Sequence, residues 1–502
     1  MSPTRYEGNT DEETPLFQNA DVPQKPTRLP KAQIFILFSV WLAESTISHS
    51  ISPYLNQLVK ELPIVGGDDR KVGYYSGVIV ASHFAAEAVT ALHWNRLSDH
   101  IGRKPVLLSC FMGVIISIIT FGLSRSLWAL VLSRCLHGAM KGSTGVLKSM
   151  ISELTDESNV ARGFSVLPVA WSLGCMMGFV RYVAYCHFDS LTPWTLSPLI
   201  GGVLSRPQDR WPDLFSHPFW ASYPYFLPCL AAAALSCLSF IIAALFLKET
   251  MNTPPMKLQF AKVTLNGSRE GPNDTLDEEP SNPKKLLPLR SVLIRPVVIS
   301  IANYAMLALV SMAATALIPL VWSTSVEFGG LDLRPVSIGL WMSSYGFFNG
   351  AFQFAFFPLM ARRFGPQRVF VTSVAVCAII YTMFPLENLA AGGGSKATVW
   401  LLMFLQLLSL SISETGFSSI FLFISSAAPS KRSLGTTMGL AQTVVSVQRA
   451  VGPVAADWLF AFSITNNVLG GNFVYVVLYV LVGVGLCVAA QLPRYAWRRN
   501  GG

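Results

Sequence analysis

Charge is scarce in this chain of 502 residues: 13% are Asp, Glu, Lys or Arg and 52% are hydrophobic. That is about half the charged fraction of a soluble globular domain, so lipid is the expected solvent. Cysteine is thinly spread, with eight residues, no C-x-x-C pair and no His/Cys cluster at metal spacing. The pattern argues against a disulfide framework and against a bound metal. The glycine run at Gly392, Gly393 and Gly394 lacks the Lys-Ser/Thr of a phosphate loop, and no nucleophile elbow, H-E-x-x-H or paired catalytic carboxylate motif is present. Neither an enzyme nor a cofactor is expected. A basic face is missing too, because the net charge of +9 is dispersed in short Lys/Arg clusters between apolar runs. Such clusters fit membrane orientation better than nucleic acid. The first 31 residues are polar and contain proline, so no cleavable signal peptide is expected there and the first apolar helix is expected to serve as the targeting signal.

Long apolar segments are what the chain has in plenty. A hydrocarbon core of about 30 Å takes roughly 20 apolar residues as helix, and such runs lie near 32–52, 73–94, 105–123, 127–150, 163–185, 223–247, 296–322, 337–360, 368–387, 398–424, 434–460 and 472–491. The expected fold is an all-α membrane protein with twelve transmembrane helices in two six-helix pseudo-repeats. Residues 248–295 are charged and rich in Pro, Asn and Ser, the composition of a linker that buries no core. The expected plan is a tail at 1–31, a first bundle at 32–247, the linker, a second bundle at 296–492 and a tail at 493–502. Arg96, Arg103, Lys104, Arg362, Arg363, Arg368, Lys431 and Arg432 share one side of that plan, and the positive-inside rule makes that side and both tails cytosolic.

Duplicated halves are a common device in transporters. Residues 95–108 (N-R-L-S-D-H-I-G-R-K-P-V-L-L) align without gaps on 358–371 (P-L-M-A-R-R-F-G-P-Q-R-V-F-V), matching Gly102 to Gly365 and Val106 to Val369. Both stretches join the second and third predicted helices of their half, so equivalent position supports what two identities alone would not.

The stretch 94–105, W-N-R-L-S-D-H-I-G-R-K-P, resembles the G-x-x-x-D-R-x-G-R-R/K loop of the major facilitator superfamily. A-E at Ala43-Glu44, S-P-Y-L at 52–55, K-S-M-I-S-E-L-T-D at 148–156, Y-P-Y-F-L-P at 223–228, and G-L-A-Q-T with R-A-V-G-P at 439–443 and 449–453 are similar to a fungal branch related to drug-proton antiporters and plant zinc-induced facilitators. The resemblance implies the major facilitator fold and a monomeric secondary transporter. It would carry a small solute across a vacuolar or plasma membrane, with H+ as the coupled partner. It also implies that Asp99, Gly102, Arg103 and Lys104 latch the outward-facing state from the cytosolic side, with Arg103 and Lys104 at the surface; the bland alternative is that these charges only set orientation. Asn95 replaces the family's usual Gly and His100 its Arg, so one permanent charge is missing and pH sensitivity of the latch is an expectation.

Ionisable residues at membrane depth face a cavity or a partner, and Glu44, Glu87, Arg134, Lys141, Glu414, Arg449 and Asp457 are in that position. By resemblance Arg134 belongs to proton coupling, with Glu44 or Glu87 as counter-charge and proton carrier; a static ion pair is the competing reading. Gln442 of G-L-A-Q-T is assigned to the same central cavity. Lys141 stands where relatives carry a neutral residue, and Met438 where they carry Asn. The family's helix 5 motif G-P-x-x-G-G is interrupted: Gly178 is separated from Pro198, Gly201 and Gly202 by residues 179–197, whereas Gly452-Pro453 mirrors it intact. Joining Gly178 to Pro198 restores the motif, so the insert reads as a retained intron or gene-model error whose product couples poorly. A non-transporting sensor on the same fold is the other functional alternative. In the N-terminal tail, E-E-T-P-L-F at 12–17 resembles an acidic dileucine sorting signal.

Overall fold

A computed structural model describes residues 29–65, 69–156, 159–179, 204, 206–251, 289–333, 335–430 and 433–494, with helices and no strand among them. The first predicted segment is α1 (Lys31–Ser50), and a Ser-Pro start then opens the short α2 (Ser52–Lys60). α3 (Asp69–Ile101) and α4 (Arg103–Gly122) follow, separated by a single residue. The loop expected at 95–108 is therefore a helix–glycine–helix corner. No breaker stands between Leu92 and Gly102, so the helix runs on to the first residue that demands a positive φ.

The fourth predicted segment, 127–150, is likewise corrected. It forms α5 (Leu127–Met140) and α6 (Ser143–Leu154), with Lys141 at φ −76° and ψ 12° between them. Lys141 N–H bonds back to Gly138 and Thr144 N–H to Lys141, at 3.1 and 3.3 Å, a tighter turn than an α-helix makes. Gly138 and Gly142 weaken the helix there, and both sit where a Cβ would collide, Gly138 with the backbone of His83 and Gly142 with the ring of Trp94. Close packing on α3 fixes the break.

α7 (Val160–Phe179) occupies the described part of the fifth predicted segment and includes Gly178; Pro198, Gly201 and Gly202 lie outside the described residues. Past that segment the chain is held against the end of α2. Arg206 pairs with Glu61 at 2.6 Å, and Tyr225 donates to the same carboxylate at 2.6 Å. Burial, reinforced by that carboxylate, pushes the Tyr225 hydroxyl up from its ordinary pKa.

The remaining long helices among the described residues are α8 (Phe226–Phe246), α9 (Arg295–Ser323), α10 (Pro335–Phe364), α11 (Pro366–Gly392), α12 (Lys396–Ala427), α13 (Leu434–Thr465) and α14 (Phe473–Ala489). Among the described residues six helices are long and apolar enough to cross a membrane: Tyr75–Ile101 within α3, together with α4, α8, α9, α11 and α12. α1 packs on α7 and α8, α3 on α5, and α4 on α8; α9 packs on α13, and α11 on α12 and α14. Two seams join these groups, α3 and α6 against α13, and α7 against α10 and α12. The polar residues discussed next line the first seam.

Candidate functional site

Gly102 takes φ +107° and ψ 160°, a conformation essentially reserved for glycine. The corner it makes brings the last turn of α3 against the first turn of α4. Arg103 Nη1 donates to Asp99 Oδ1 at 2.6 Å and to Ser98 Oγ at 2.7 Å, and its Nε donates to Glu153 Oε1 on α6 at 3.0 Å. The Asp99 carboxylate also crosses the seam. It accepts the backbone N–H groups of Gly435 and Thr436 at 3.0 and 2.7 Å, and the Thr436 hydroxyl at 2.6 Å. These are orphan donors of the first turn of α13, where an anion also meets the positive end of the helix dipole. Glu249 caps α4 in the same way, accepting Arg103 N–H at 2.9 Å and Lys104 N–H at 3.0 Å.

Arg103, expected at the surface, is fully buried. A buried guanidinium persists only when paired, and Asp99 with Glu153 supplies the pairing. Lys104 joins through its backbone N–H, not its ammonium. Among the described residues His100 makes none of these hydrogen bonds. Asn95 donates to the carbonyls of Ala91 and Gly142 at 2.8 and 3.3 Å. A Cβ on Gly439 would press on Asn95 Cγ at 3.1 Å and Leu92 Cα at 3.2 Å: the side chain added on α3 is accommodated by its absence on α13.

Deeper in the seam, Glu44, Glu87, Arg134, Lys141 and Lys148 are all buried. Glu44 on α1 accepts from Ser143 Oγ at 3.2 Å and Thr144 Oγ1 at 3.3 Å. Glu87 on α3 accepts from Gln442 Nε2 at 2.8 Å, while Gln442 Oε1 accepts from Lys148 Nζ at 3.0 Å. A neutral amide from α13 thus stands between a carboxylate on α3 and an ammonium on α6. Arg134 does not meet either expected counter-charge. Its Nη1 lies 3.1 Å from His137 Nδ1, whose ring packs edge-on to His83 at 4.7 Å. Lys141, at the break between α5 and α6, and Lys148 are the cations that feel the charges of Glu87 and Glu44. On the other side of the seam Glu414 accepts from Ser311 Oγ at 3.0 Å and feels the charge of Arg449. Asp457 lies exposed, apart from this group, and Gly452-Pro453 sits inside α13 facing Leu309 of α9.

A family model described as Major Facilitator Superfamily matches residues 34–453. The chain belongs to the major facilitator superfamily. Similar proteins include the multidrug transporter mfsB of Aspergillus fumigatus, 27% identical over 86% of this chain and 78% of that one. The zinc-induced facilitator-like 1 protein of Arabidopsis thaliana is 26% identical over 90% of each. Among solved structures, the human organic anion transporter MFSD10 superposes with a TM-score of 0.64 at 17% identity, covering 92% of this chain and all of that one, which establishes a shared fold. The protein is therefore an integral, multi-pass membrane protein of a transporter family, not an enzyme family.

Within this major facilitator protein, Asp99, Gly102 and Arg103 lie together at one corner, and Gln442 contacts Glu87. Sequence reasoning passed over Glu153, Glu249, Lys148, Tyr304, His83 and His137. The signal for Glu153 and Lys148 was available, since both stand in K-S-M-I-S-E-L-T-D. Glu249 offered none beyond its place just after an apolar run.

Proposed function

We propose that the protein is a secondary active transporter that moves a small organic solute by alternating access, with proton-coupled export or sequestration as its direction. Twelve crossings form two bundles, 32–247 and 296–492, joined by a cytosolic linker at 248–295, and both termini are cytosolic in a vacuolar or plasma membrane. One chain is the working unit. The observation that carries this reading is the Gln442 amide held between Glu87 and Lys148, at 2.8 and 3.0 Å. Rocking of the bundles at this seam must withdraw the amide, leaving a buried acid and a buried base to find new partners. Partner exchange of that kind links movement to uptake or release of a proton.

Asp99 on the first turn of α13 and Arg103 on Glu153 are, on this reading, the cytosolic latch of the outward-facing state. Glu44 is the proton-carrying carboxylate, with Lys141 its nearby cation. Export is supported by the name of one relative, an efflux pump of Aspergillus niger.

The test is flux in proteoliposomes under an imposed pH gradient, with a panel of organic solutes, on forms with and without residues 179–197. Gradient-driven flux that becomes gradient-independent in Glu44→Gln is the expected result. Flux indifferent to the gradient in both forms of the chain removes proton coupling; full coupling in Glu44→Gln removes Glu44 from it.

A further inference from the structure

Three cations, Lys141, Lys148 and Arg449, lie near one another in the seam, and among the described residues none touches a counter-ion. Arg449 exerts the strongest charge effect on Lys148, ahead of Glu87, Lys141 and Glu44, whereas on Lys141 the charges of Glu87 and Glu44 outweigh that of Arg449. Among the described residues none of the three has a carboxylate oxygen within the 4.0 Å of an ion pair. Lys148 donates only to neutral oxygens, Gln442 Oε1 at 3.0 Å and Tyr304 Oη at 3.4 Å. Arg449 is half-buried, and its Nε is fully enclosed with no hydrogen-bond partner.

The nearby acids are engaged elsewhere: Glu44 with Ser143 and Thr144, Glu414 with Ser311, and Glu87 with Gln442. Glu87 has one oxygen without a hydrogen bond, 4.0 Å from His83 Nε2, and its charge reaches Lys141 and Lys148 without an ion-pair contact to either. Like charges gathered in a low-dielectric interior repel, and an enclosed guanidinium N–H without an acceptor is costly. An anion at this place answers both.

The walls beside Lys148 are aromatic. Its ammonium lies 4.2 Å from the centre of the Phe421 ring, and Phe421 packs on Tyr304 at 5.3 Å and on Phe164 at 5.8 Å. Flat apolar surface next to a charge selects for a solute with both.

We infer that the transported solute is an organic anion, with a carboxylate or equivalent oxyanion held between Lys148 and Arg449 and a flat apolar body against Tyr304 and Phe421. This rests on the reading that the seam is the solute's path, and it adds the solute's charge, which that reading leaves open.

The test is binding to the purified full-length chain in detergent, read as a saturable rise in thermal unfolding temperature. The probes are two aromatic carboxylates, benzoate and 1-naphthoate, against a permanent cation, benzyltrimethylammonium, and a neutral ring, benzyl alcohol. Stabilisation by a carboxylate is expected, weakened at least about tenfold in Lys148→Met and in Arg449→Gln, the loss of one charge-assisted hydrogen bond, and largely kept in Arg449→Lys. Arg449 is half-buried, so its variants report even where Lys148→Met fails to fold. Stabilisation by the cation or the neutral ring equal to that by the carboxylates, no saturable carboxylate effect, or carboxylate binding unchanged in Arg449→Gln each overturns the inference. Because binding is read without a gradient, a carboxylate that binds but shows no gradient-driven flux supports the anion site and counts against proton coupling alone.

Discussion

The corner between α3 and α4 and the corner between α10 and α11 are two copies of one backbone with unlike chemistry. Gly102 and Gly365 each precede a helix, at φ +107° and ψ 160° in one and φ +81° and ψ 154° in the other. The alignment that matches these glycines sets Asp99 opposite Arg362. Asp99 reaches across the seam to the start of α13 and pairs with a buried arginine; Arg362 is exposed. Instead of binding another bundle, the second corner is tied to its own chain's end, where Gln367 Nε2 donates to the carbonyl of Leu492. The same turn, which only glycine makes easily, thus recurs at both corners, while the charges it presents differ. A latch needs an anion on one side and a helix start on the other, and only the first corner supplies the anion.

The sharpest break of this comparison is Arg103→Ala against Arg362→Ala. Removing Arg103 leaves Asp99 and Glu153, both nearly buried, without their cation. Truncating one member of a buried charge cluster costs about 3–5 kcal/mol. A large fall in unfolding temperature and more than tenfold loss of flux are expected, whereas Arg362→Ala at the matched exposed place shifts stability by less than about 0.5 kcal/mol. Equal effects of the two would erase the asymmetry.

Next come the glycines themselves. Gly102→Ala meets a strained backbone and also places its Cβ 2.7 Å from Glu249 Oε2, whereas a Cβ on Gly365 has only Arg494 O at 3.5 Å. Strain alone costs about 1–3 kcal/mol at either site. Gly102→Ala is expected to be the more destabilising by about 1 kcal/mol, the hydrogen bond its Cβ displaces, and to lower flux where Gly365→Ala does not. Parallel unfolding and flux measurements on the pair decide it.

Much of the first corner was legible because its residues are neighbours in sequence: Asp99, Gly102 and Arg103 lie within one helical turn and a bend. Its outer partners were not tied to it, since Glu153 arrives on α6, 50 residues away, and Glu249 on the segment that follows α8, 146 residues away; a motif can mark such a residue, but no local pattern encodes which ends meet. Arg134 shows the opposite failure. Its depth was legible from hydrophobicity, but its partner depended on the direction of a helix that breaks at Lys141, and a continuous 127–150 segment pointed Arg134 and Lys141 along one axis. Gln442 was placed in the cavity by resemblance; that its amide separates Glu87 from Lys148 became visible only with three helices in place.

Smaller effects sharpen the comparison further. Glu249→Gln keeps one acceptor for the two backbone N–H groups that begin α4 and puts an NH2 before the other. A loss of about 1 kcal/mol is expected, with flux lowered a few-fold because Arg103 shifts with its own backbone. Unfolding temperature with flux on the same preparation separates that from a purely structural loss.

Gln367→Ala is the corresponding cut at the second corner. It removes one side-chain hydrogen bond to a backbone carbonyl, worth about 0.5–1.5 kcal/mol, and leaves no buried charge exposed. A small drop in unfolding temperature with unchanged flux is the expected pair of readings, because the bond ties α11 to its own chain's end and does not cross the seam. A flux loss as large as that of Glu249→Gln, at the same small cost in stability, would mean that the second corner also gates movement. The asymmetry would then lie in which chemical groups do the latching, carboxylate on one side and amide on the other, not in whether both corners latch.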